Sequence, residues 1–236
     1  MKEFISGAGS VYLYIILAAC SAFVVRKCLK IPDELFRKIL HFILLGAYIP
    51  LIASFEIWWM ASIFAVLSIL LLYPLLTWAE KLPLFSAFLS QRRDGEIKNS
   101  MILALFMMAL STFACWGLAG DRFLVLACVY AWGVGDAFAA LVGKRFGKHK
   151  IRLKFADRKK SVEGSAAMFL TSAAAVWVIL LARGGLSAGA CLIIALAAAA
   201  VSAFVEVCSK GGYDTITCPA AAMAVILPML HLWGGK

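Results

Sequence analysis

The sequence has few charged residues for its length. Only 15% of its 236 residues are Asp, Glu, Lys or Arg, whereas 64% are hydrophobic. A soluble domain has about a quarter charged residues and roughly half apolar ones. A water-soluble core of this size could not bury so much apolar surface, and the mean hydropathy of +0.93 indicates that the lipid bilayer is the solvent of this chain.

Patterns typical of metal sites and disulfide frameworks are also missing. The 7 cysteines are scattered, mostly within apolar stretches. None of them forms a C-x-x-C pair or a cluster with histidine. They are therefore interpreted as small apolar packing residues.

The nucleotide-binding motifs of soluble enzymes are absent as well. The segment from Gly143 through Gly147, Lys148 and His149 has the wrong spacing for a P-loop and lacks the terminal Ser or Thr. The glycine loop and the HRD and DFG signatures of protein kinases are not found either. Any nucleotide would have to be bound by an architecture specific to membrane proteins.

Long hydrophobic stretches dominate what is present. A helix that spans a bilayer needs about 20 mostly apolar residues. We therefore predict an all-α, polytopic integral membrane protein with about eight transmembrane helices, within a range of about seven to nine. The connecting segments are short, so residues 1–236 are predicted to form a single transmembrane domain with a basic loop at about 144–163. The predicted spans cover residues 10–28, 36–54, 57–77, 99–119, 121–143, 164–182, 186–206 and 217–234.

The basic residues predict an orientation. The formal net charge is +10, and most Lys and Arg residues fall in loops on one side of the predicted membrane. The exceptions are Lys2, Arg122, Arg183 and Lys236. The positive-inside rule then predicts cytosolic basic loops and places both termini outside. Topology and attraction to anionic headgroups alone would explain most of this charge.

Polar residues lie at the start of the second and fourth spans, and those of the second span are candidates for an anion-facing cluster. Arg37 and Lys38 open the second span, and His41 lies on the same helix face as Arg37. Glu96 and Lys98 precede the fourth span. As an alternative, His41 is structural, Asn99 or Ser100 is an ordinary N-cap, and Glu96 is an acid favoured by the helix dipole.

The fifth span contains a stripe of small residues and an aspartate. Gly135, Ala139, Gly143 and Gly147 recur every four residues, so another helix can approach closely along them. Asp136 lies beside this stripe, about 10 Å inside the helix end at 1.5 Å per residue. Close packing explains the glycines, but a buried aspartate requires a cation or a metal.

A basic loop follows this stripe, and two acids lie further along the chain. The loop ends in Lys160-Ser161-x-Glu163-Gly164, at a helix start where anions bind readily. Glu206 lies near the end of the seventh span, and Asp214 and Thr217 precede Pro219, where they fit a helix cap. Acids suit Mg²⁺ and cations suit phosphate, which predicts chemistry on a phosphate compound at the cytosolic surface.

These motifs resemble the family of dolichol kinase, phytol kinase and yeast-type CTP-dependent diacylglycerol kinase, which is related to the phosphatidate cytidylyltransferases. The similarity runs in the family's order from residue 37 to residue 219. One position departs from the pattern, since Thr215 follows Asp214 where the family usually has Asn. The matching motifs are Arg37-Lys38-x-x-His41, Gly95-Glu96, Gly135-Asp136 with Ala139, Gly143 and Gly147, Lys160-Ser161-x-Glu163-Gly164, Glu206, and Asp214-Thr215-x-Thr217-x-Pro219.

The resemblance implies transfer of the γ-phosphate of CTP to the hydroxyl of a membrane lipid alcohol, either an isoprenoid or diacylglycerol. It implies a divalent cation, Mg²⁺, held by Asp136 with Glu206 or Asp214. Catalytic roles are expected for Asp136, Glu96, Asp214 and His41. Nucleotide or phosphate binding is expected for Arg37, Lys38, Lys98, Gly135, Gly143, Lys144, Lys148, Lys159, Lys160, Ser161, Glu163, Gly164, Thr215 and Thr217.

Two other functions remain open from the sequence. A lipid-phosphate cytidylyltransferase would use the same CTP and metal but release pyrophosphate. A transporter or scaffold would use the acids as an ion path, and the lack of an evident internal repeat disfavours it. The compact basic loops predict a bacterial inner membrane with the site facing the cytosol, and no nucleic-acid partner is expected.

Overall fold

The computed structural model describes residues 2–81, 95–152 and 160–233. Apart from one isolated bridge, the regular structure in these ranges is helical. The elements are α1 (Lys2–Leu29), α2 (Asp33–Gly46), α3 (Tyr48–Ser54), α4 (Trp58–Ala79), α5 (Glu96–Ser111), a π-helix (Thr112–Leu118), α6 (Arg122–Phe146), α7 (Val162–Arg183), α8 (Ala188–Cys208) and α9 (Asp214–Leu232).

Eight helical segments of the described chain are long and apolar enough to cross a membrane. Two of them are composite, because α2 with α3 and α5 with the π-helix each form one span. Every predicted span overlaps one of these segments. The prediction of an all-α integral membrane protein with about eight transmembrane helices is confirmed.

Helix boundaries differ from the prediction where polar residues or proline intervene. The helix α5 of the fourth span begins at Glu96, after Gly95 with a φ of 74°. Asn99 and Ser100 therefore lie inside the helix, and the N-cap alternative for them is wrong. The second span is interrupted between α2 and α3. Pro50 has no N–H for the carbonyl four residues earlier, which accounts for this interruption.

The described helices form two compact units, Met1–Phe113 and Ala114–Lys236. In the first unit, α1 packs on α2, α3 and α4, and α4 packs on α5. The Tyr12 hydroxyl lies 2.7 Å from the Ser68 hydroxyl. Phe55 is fully buried and packs against the rings of Phe4 and Phe64.

In the second unit, α6 packs on α7 and α9, and α8 packs on the same two helices. The core between them consists of fully buried aliphatic side chains such as Val129, Val176 and Ile194. At one end, Asp121 caps α6 by accepting a hydrogen bond from the Phe123 N–H at 2.8 Å and pairs with Arg183 at the end of α7.

The small-residue stripe is the contact between α6 and α7, as predicted. A Cβ atom on Gly164 would lie 2.9 Å from the Ala139 carbonyl oxygen and 3.3 Å from the Gly143 Cα. A Cβ on Gly135 would meet Ser172 and Met168 of α7. The two backbones therefore approach more closely than any larger residue would allow, and this approach sets the position of Asp136 beside the stripe.

Candidate active site

A buried ion pair lies at the other end of the second unit, away from Asp121 and Arg183. The Lys160 ammonium group bonds to the Glu206 carboxylate. The Glu206 side chain is 3% exposed and the Lys160 side chain 22%. Glu206 is in the last turn of α8, and Lys160 directly precedes Ser161, the N-cap of α7.

Two further acids act on this ion pair. Burial disfavours the charged form of Lys160, but the charge and hydrogen bond of Glu206, followed by the charges of Asp214 and Asp136, outweigh it and raise the pKa of Lys160. Lys160 therefore remains an ammonium ion near neutral pH. Acids from α6, α8 and α9 thus converge on one lysine.

The second carboxylate oxygen of Glu206 is suited to bind a cation. This Oε2 atom is buried and has no hydrogen-bond partner among the described residues. A buried carboxylate oxygen without a partner is costly, and a divalent cation would satisfy it. No group of three or more His, Cys, Asp or Glu side chains in the described ranges is arranged to hold a metal by itself. Mg²⁺ is commonly held by only one or two carboxylates together with substrate phosphates and water, so the residues present fit it.

The ends of the basic loop are fastened beside this cluster. Lys150 and Ser161 form an antiparallel bridge, with the Ile151 N–H donating to the Lys160 carbonyl at 3.1 Å and the Val162 N–H donating to the His149 carbonyl at 2.9 Å. The Ser161 hydroxyl accepts a bond from the Gly164 N–H at 3.2 Å. This pairing holds Lys160 in a defined place next to Glu206.

Glu163 holds the same loop from the first turn of α7. Its Oε1 atom accepts hydrogen bonds from the N–H groups of Lys148 at 3.2 Å and His149 at 3.1 Å, and lies 2.7 Å from the His149 ring nitrogen Nδ1. The carboxylate therefore fixes the loop backbone. The phosphate-binding role assigned to Glu163 stays a prediction.

The structure brings several other predicted residues to this end of the unit. Lys144 and Lys148 are exposed at the end of α6 and the start of the loop. Thr215 is buried in the first turn of α9. Thr217 is exposed, with its hydroxyl 2.7 Å from that of Ser209. Lys159 lies outside the described residues.

The remaining predicted residues belong to the first unit. Arg37 lies 3.8 Å from the Glu34 carboxylate, and Lys38 and His41 are half-buried nearby on α2. Lys98 pairs with Glu80 at 2.8 Å. The side chain of Glu96 is not among those described.

Sequence reasoning missed Glu80 as the partner of Lys98. Glu80 follows the last residue of α4, where a single acid at the end of an apolar stretch is an ordinary feature. Nothing in its spacing predicts a contact with a lysine that follows it 18 residues later in the chain.

Similarity to a known protein decides the family. Phytol kinase from Synechocystis sp. is 31% identical to this chain in an alignment that covers 86% of this chain and 83% of the relative. The chain belongs to the phytol kinase family of membrane lipid kinases. The family prediction made from the motifs is confirmed, and with it the class of enzyme. No protein-family model matches the chain, and no solved structure does.

Proposed function

We propose that the protein transfers the γ-phosphate of CTP to the hydroxyl of a membrane isoprenoid alcohol. The observation that carries this proposal is the Lys160–Glu206 pair, with Asp136 and Asp214 acting on it and one buried Glu206 oxygen without a partner. Family membership supplies the reaction class, and the relative's name, phytol kinase, favours an isoprenoid acceptor over diacylglycerol.

The reaction requires positioning and charge neutralisation more than covalent work by the protein. The alcohol oxygen attacks the γ-phosphorus, and the bond from that phosphorus to the β–γ bridging oxygen breaks. CDP leaves with the electron pair of that bond, and the hydroxyl proton passes to a carboxylate, which we assign to Asp214. Lys160 offsets the negative charge on the phosphates.

Asp136, with Glu206 or Asp214, would hold Mg²⁺, which would neutralise charge on the phosphate oxygens. Lys160 must then move partly away from Glu206, and triphosphate oxygens supply the anionic partner toward which it moves. Lys144, Lys148 and the capped start of α7 would contact the other phosphates. The roles of Arg37, Lys38, Lys98, His41 and Glu96, which belong to the first unit, stay predictions from the sequence.

The proposed location is a bacterial inner membrane with the basic loops on the cytosolic side. The relative comes from a cyanobacterium, and the proposed donor, CTP, would come from the cytosol. The loop that precedes α7 then faces the compartment that supplies the phosphate donor.

The test is a transfer assay with purified protein in liposomes, γ-labelled CTP and Mg²⁺. The acceptors would be phytol, farnesol, undecaprenol, dolichol and diacylglycerol, and γ-labelled ATP would be the matched donor. We expect label in an isoprenoid phosphate, with CDP as the other product. Pyrophosphate and a CDP-lipid formed from a lipid phosphate would instead identify a cytidylyltransferase. Absence of both reactions, together with no thermal stabilisation by CTP, would contradict the proposal.

A further inference from the structure

A groove of about 500 Å³ opens on the surface of the second unit, where α8 ends and α9 begins. Phe204, Val205 and Cys208 of α8 form its apolar wall. The hydroxyls of Ser209 and Thr217 lie on its polar side, with their oxygens 2.7 Å apart. Small-molecule sites have volumes of about 300–1,000 Å³, so the groove is large enough for part of a lipid.

The polar side of the groove is next to the candidate active site. Thr217 is three residues after Asp214 on α9, and residues three apart lie on the same side of a helix. Ser209 is uncharged and follows Glu206 by three residues. Each of the two hydroxyls is therefore within one helical turn, along its own helix, of an acid that acts on Lys160.

We propose that this groove binds the head and the first part of the chain of the isoprenoid alcohol, with its hydroxyl at Ser209 and Thr217 and its tail along Phe204 and Val205. This inference rests on the proposed function and adds the acceptor's binding site to it. Each of the two side-chain oxygens can accept a hydrogen bond from the alcohol's hydroxyl. In this proposal that role replaces the phosphate-binding role predicted for Thr217.

The surroundings of the groove favour an amphiphile that comes from the bilayer. The groove is at the end of a membrane-spanning helix, the level at which a lipid's polar head lies. Phe204 and Tyr213 at its edge are 62% and 64% exposed, which leaves a path open for an apolar tail. Among the described residues that line the groove, Lys210 is the charged one and none is an acid, so the groove does not suit a metal or a cationic ligand.

Filling the groove tests the proposal by kinetics. Val205→Trp places a large ring in the apolar wall, and we expect the KM for the alcohol to rise at least about tenfold. The KM for CTP and the thermal stabilisation by CTP should be unchanged. Leu196→Trp is the matched control, because Leu196 is 39% exposed on another side of α8 and should tolerate the ring.

Photo-crosslinking of the wild-type protein provides a test that does not depend on the variant's folding. A diazirine-bearing isoprenoid alcohol in liposomes should label the peptide that contains residues 204–217, and unlabelled alcohol should compete. An alcohol KM unchanged by Val205→Trp, with crosslinks on other helices, would overturn the groove assignment while wild-type kinase activity persists. If the wild type phosphorylates no alcohol, the proposed function itself has failed.

Discussion

Lys160 is the residue on which the candidate active site depends. It is a cation at the start of a helix, and its charge is balanced by acids that come from three other helices. Glu206 is nearly fully buried, whereas part of the Lys160 side chain reaches the surface. The two partners therefore differ in burial, and removing Lys160 should change the stability by a different amount from removing the charge of Glu206.

Lys160→Met should lower stability more than Glu206→Gln does. The lysine variant leaves a buried carboxylate without its counter-charge, which costs about 3 kcal/mol. The glutamine variant leaves a lysine that extends toward water. Thermal unfolding in detergent should show a Tm lower by about 5 °C or more for Lys160→Met.

The double variant Lys160→Met with Glu206→Leu provides the matched control. It removes both charges, so we expect its Tm to recover toward that of the wild type while activity stays absent. A single Lys160→Met variant as stable as the wild type would show that Glu206 does not depend on this cation.

Asp136→Asn should abolish turnover without unfolding the protein. The substitution keeps the side chain's shape and removes the charge proposed to hold Mg²⁺. We expect a fall in kcat of at least about 1,000-fold, near 4 kcal/mol of transition-state stabilisation. Labelled-phosphate transfer measures it, and elution from size exclusion as for the wild type shows that the fold is intact. Near-normal turnover would remove Asp136 from the proposed mechanism.

At the residue scale, the sequence predicts the acids but not the ion pairs. Asp136, Glu206 and Asp214 stand out because ionisable groups are costly within apolar stretches. The contact between Lys160 and Glu206 joins residues 46 positions apart and depends on how α7 packs against α8. Only the packed helices determine that contact.

At the scale of helices, the close approach of α6 and α7 positions the site. Gly143 and Gly164 bring the end of α6 against the start of α7, beside the Ser161 cap. The same approach places Asp136 on the side of α6 next to this contact. The site geometry should therefore be sensitive to added volume at either glycine.

Gly164→Ala should destabilise the second unit although alanine favours helices. The new Cβ would meet the backbone oxygen of Ala139 at 2.9 Å, and backbone cannot move aside cheaply. We expect a loss of about 1–3 kcal/mol, measured by thermal unfolding in detergent. Gly189→Ala on α8 is the control, since nothing lies within 4 Å of its added Cβ, and it should gain about 0.5–1 kcal/mol. Equal effects of the two substitutions would argue against the close contact.

Glu163→Gln should loosen the start of the basic loop. The variant loses the charge that accepts bonds from the N–H groups of Lys148 and His149, and those groups should then exchange hydrogen faster. Hydrogen exchange followed by mass spectrometry should show the change in the peptide around residues 147–152. His149→Ala removes only the ring contact with Glu163 and keeps both N–H bonds, so its effect should be smaller. No change in exchange would mean that the bridge between Lys150 and Ser161 holds the loop alone.

Hydrophobic stretches predict the helices well, and local chemistry explains the differences. Each span is long and apolar, so its existence follows from the bilayer's thickness. The break at Ala47 and the π-helix from Thr112 to Leu118 are not visible as interruptions of hydrophobicity. The break at Ala47 follows from Pro50, which has no backbone N–H to donate. No feature of the sequence explains the π-helix.

At the scale of the whole molecule, the charge asymmetry predicts the orientation in the membrane. The Lys160 end of the second unit should face the cytosol, and the Asp121–Arg183 end should face outward. Epitope tags at both termini should be accessible to antibody from outside in spheroplasts, without permeabilisation. A tag inserted after Lys150 should require permeabilisation. If antibody instead reached the tag after Lys150 without permeabilisation and the terminal tags only with it, the basic loop would lie away from cytosolic CTP. That result would contradict the proposed function.

The pairing of α6 with α7 has a consequence for how the chain is made. The two helices are consecutive and are joined at both ends, by Asp121 with Arg183 and by the bridge of Lys150 with Ser161. Because these contacts join neighbouring helices, the hairpin can close soon after the ribosome has synthesised α7, before α8 and α9 exist. Asp136 would then leave the translocon already sheltered by a partner helix. An acidic side chain of the site would thus not face lipid alone during membrane insertion.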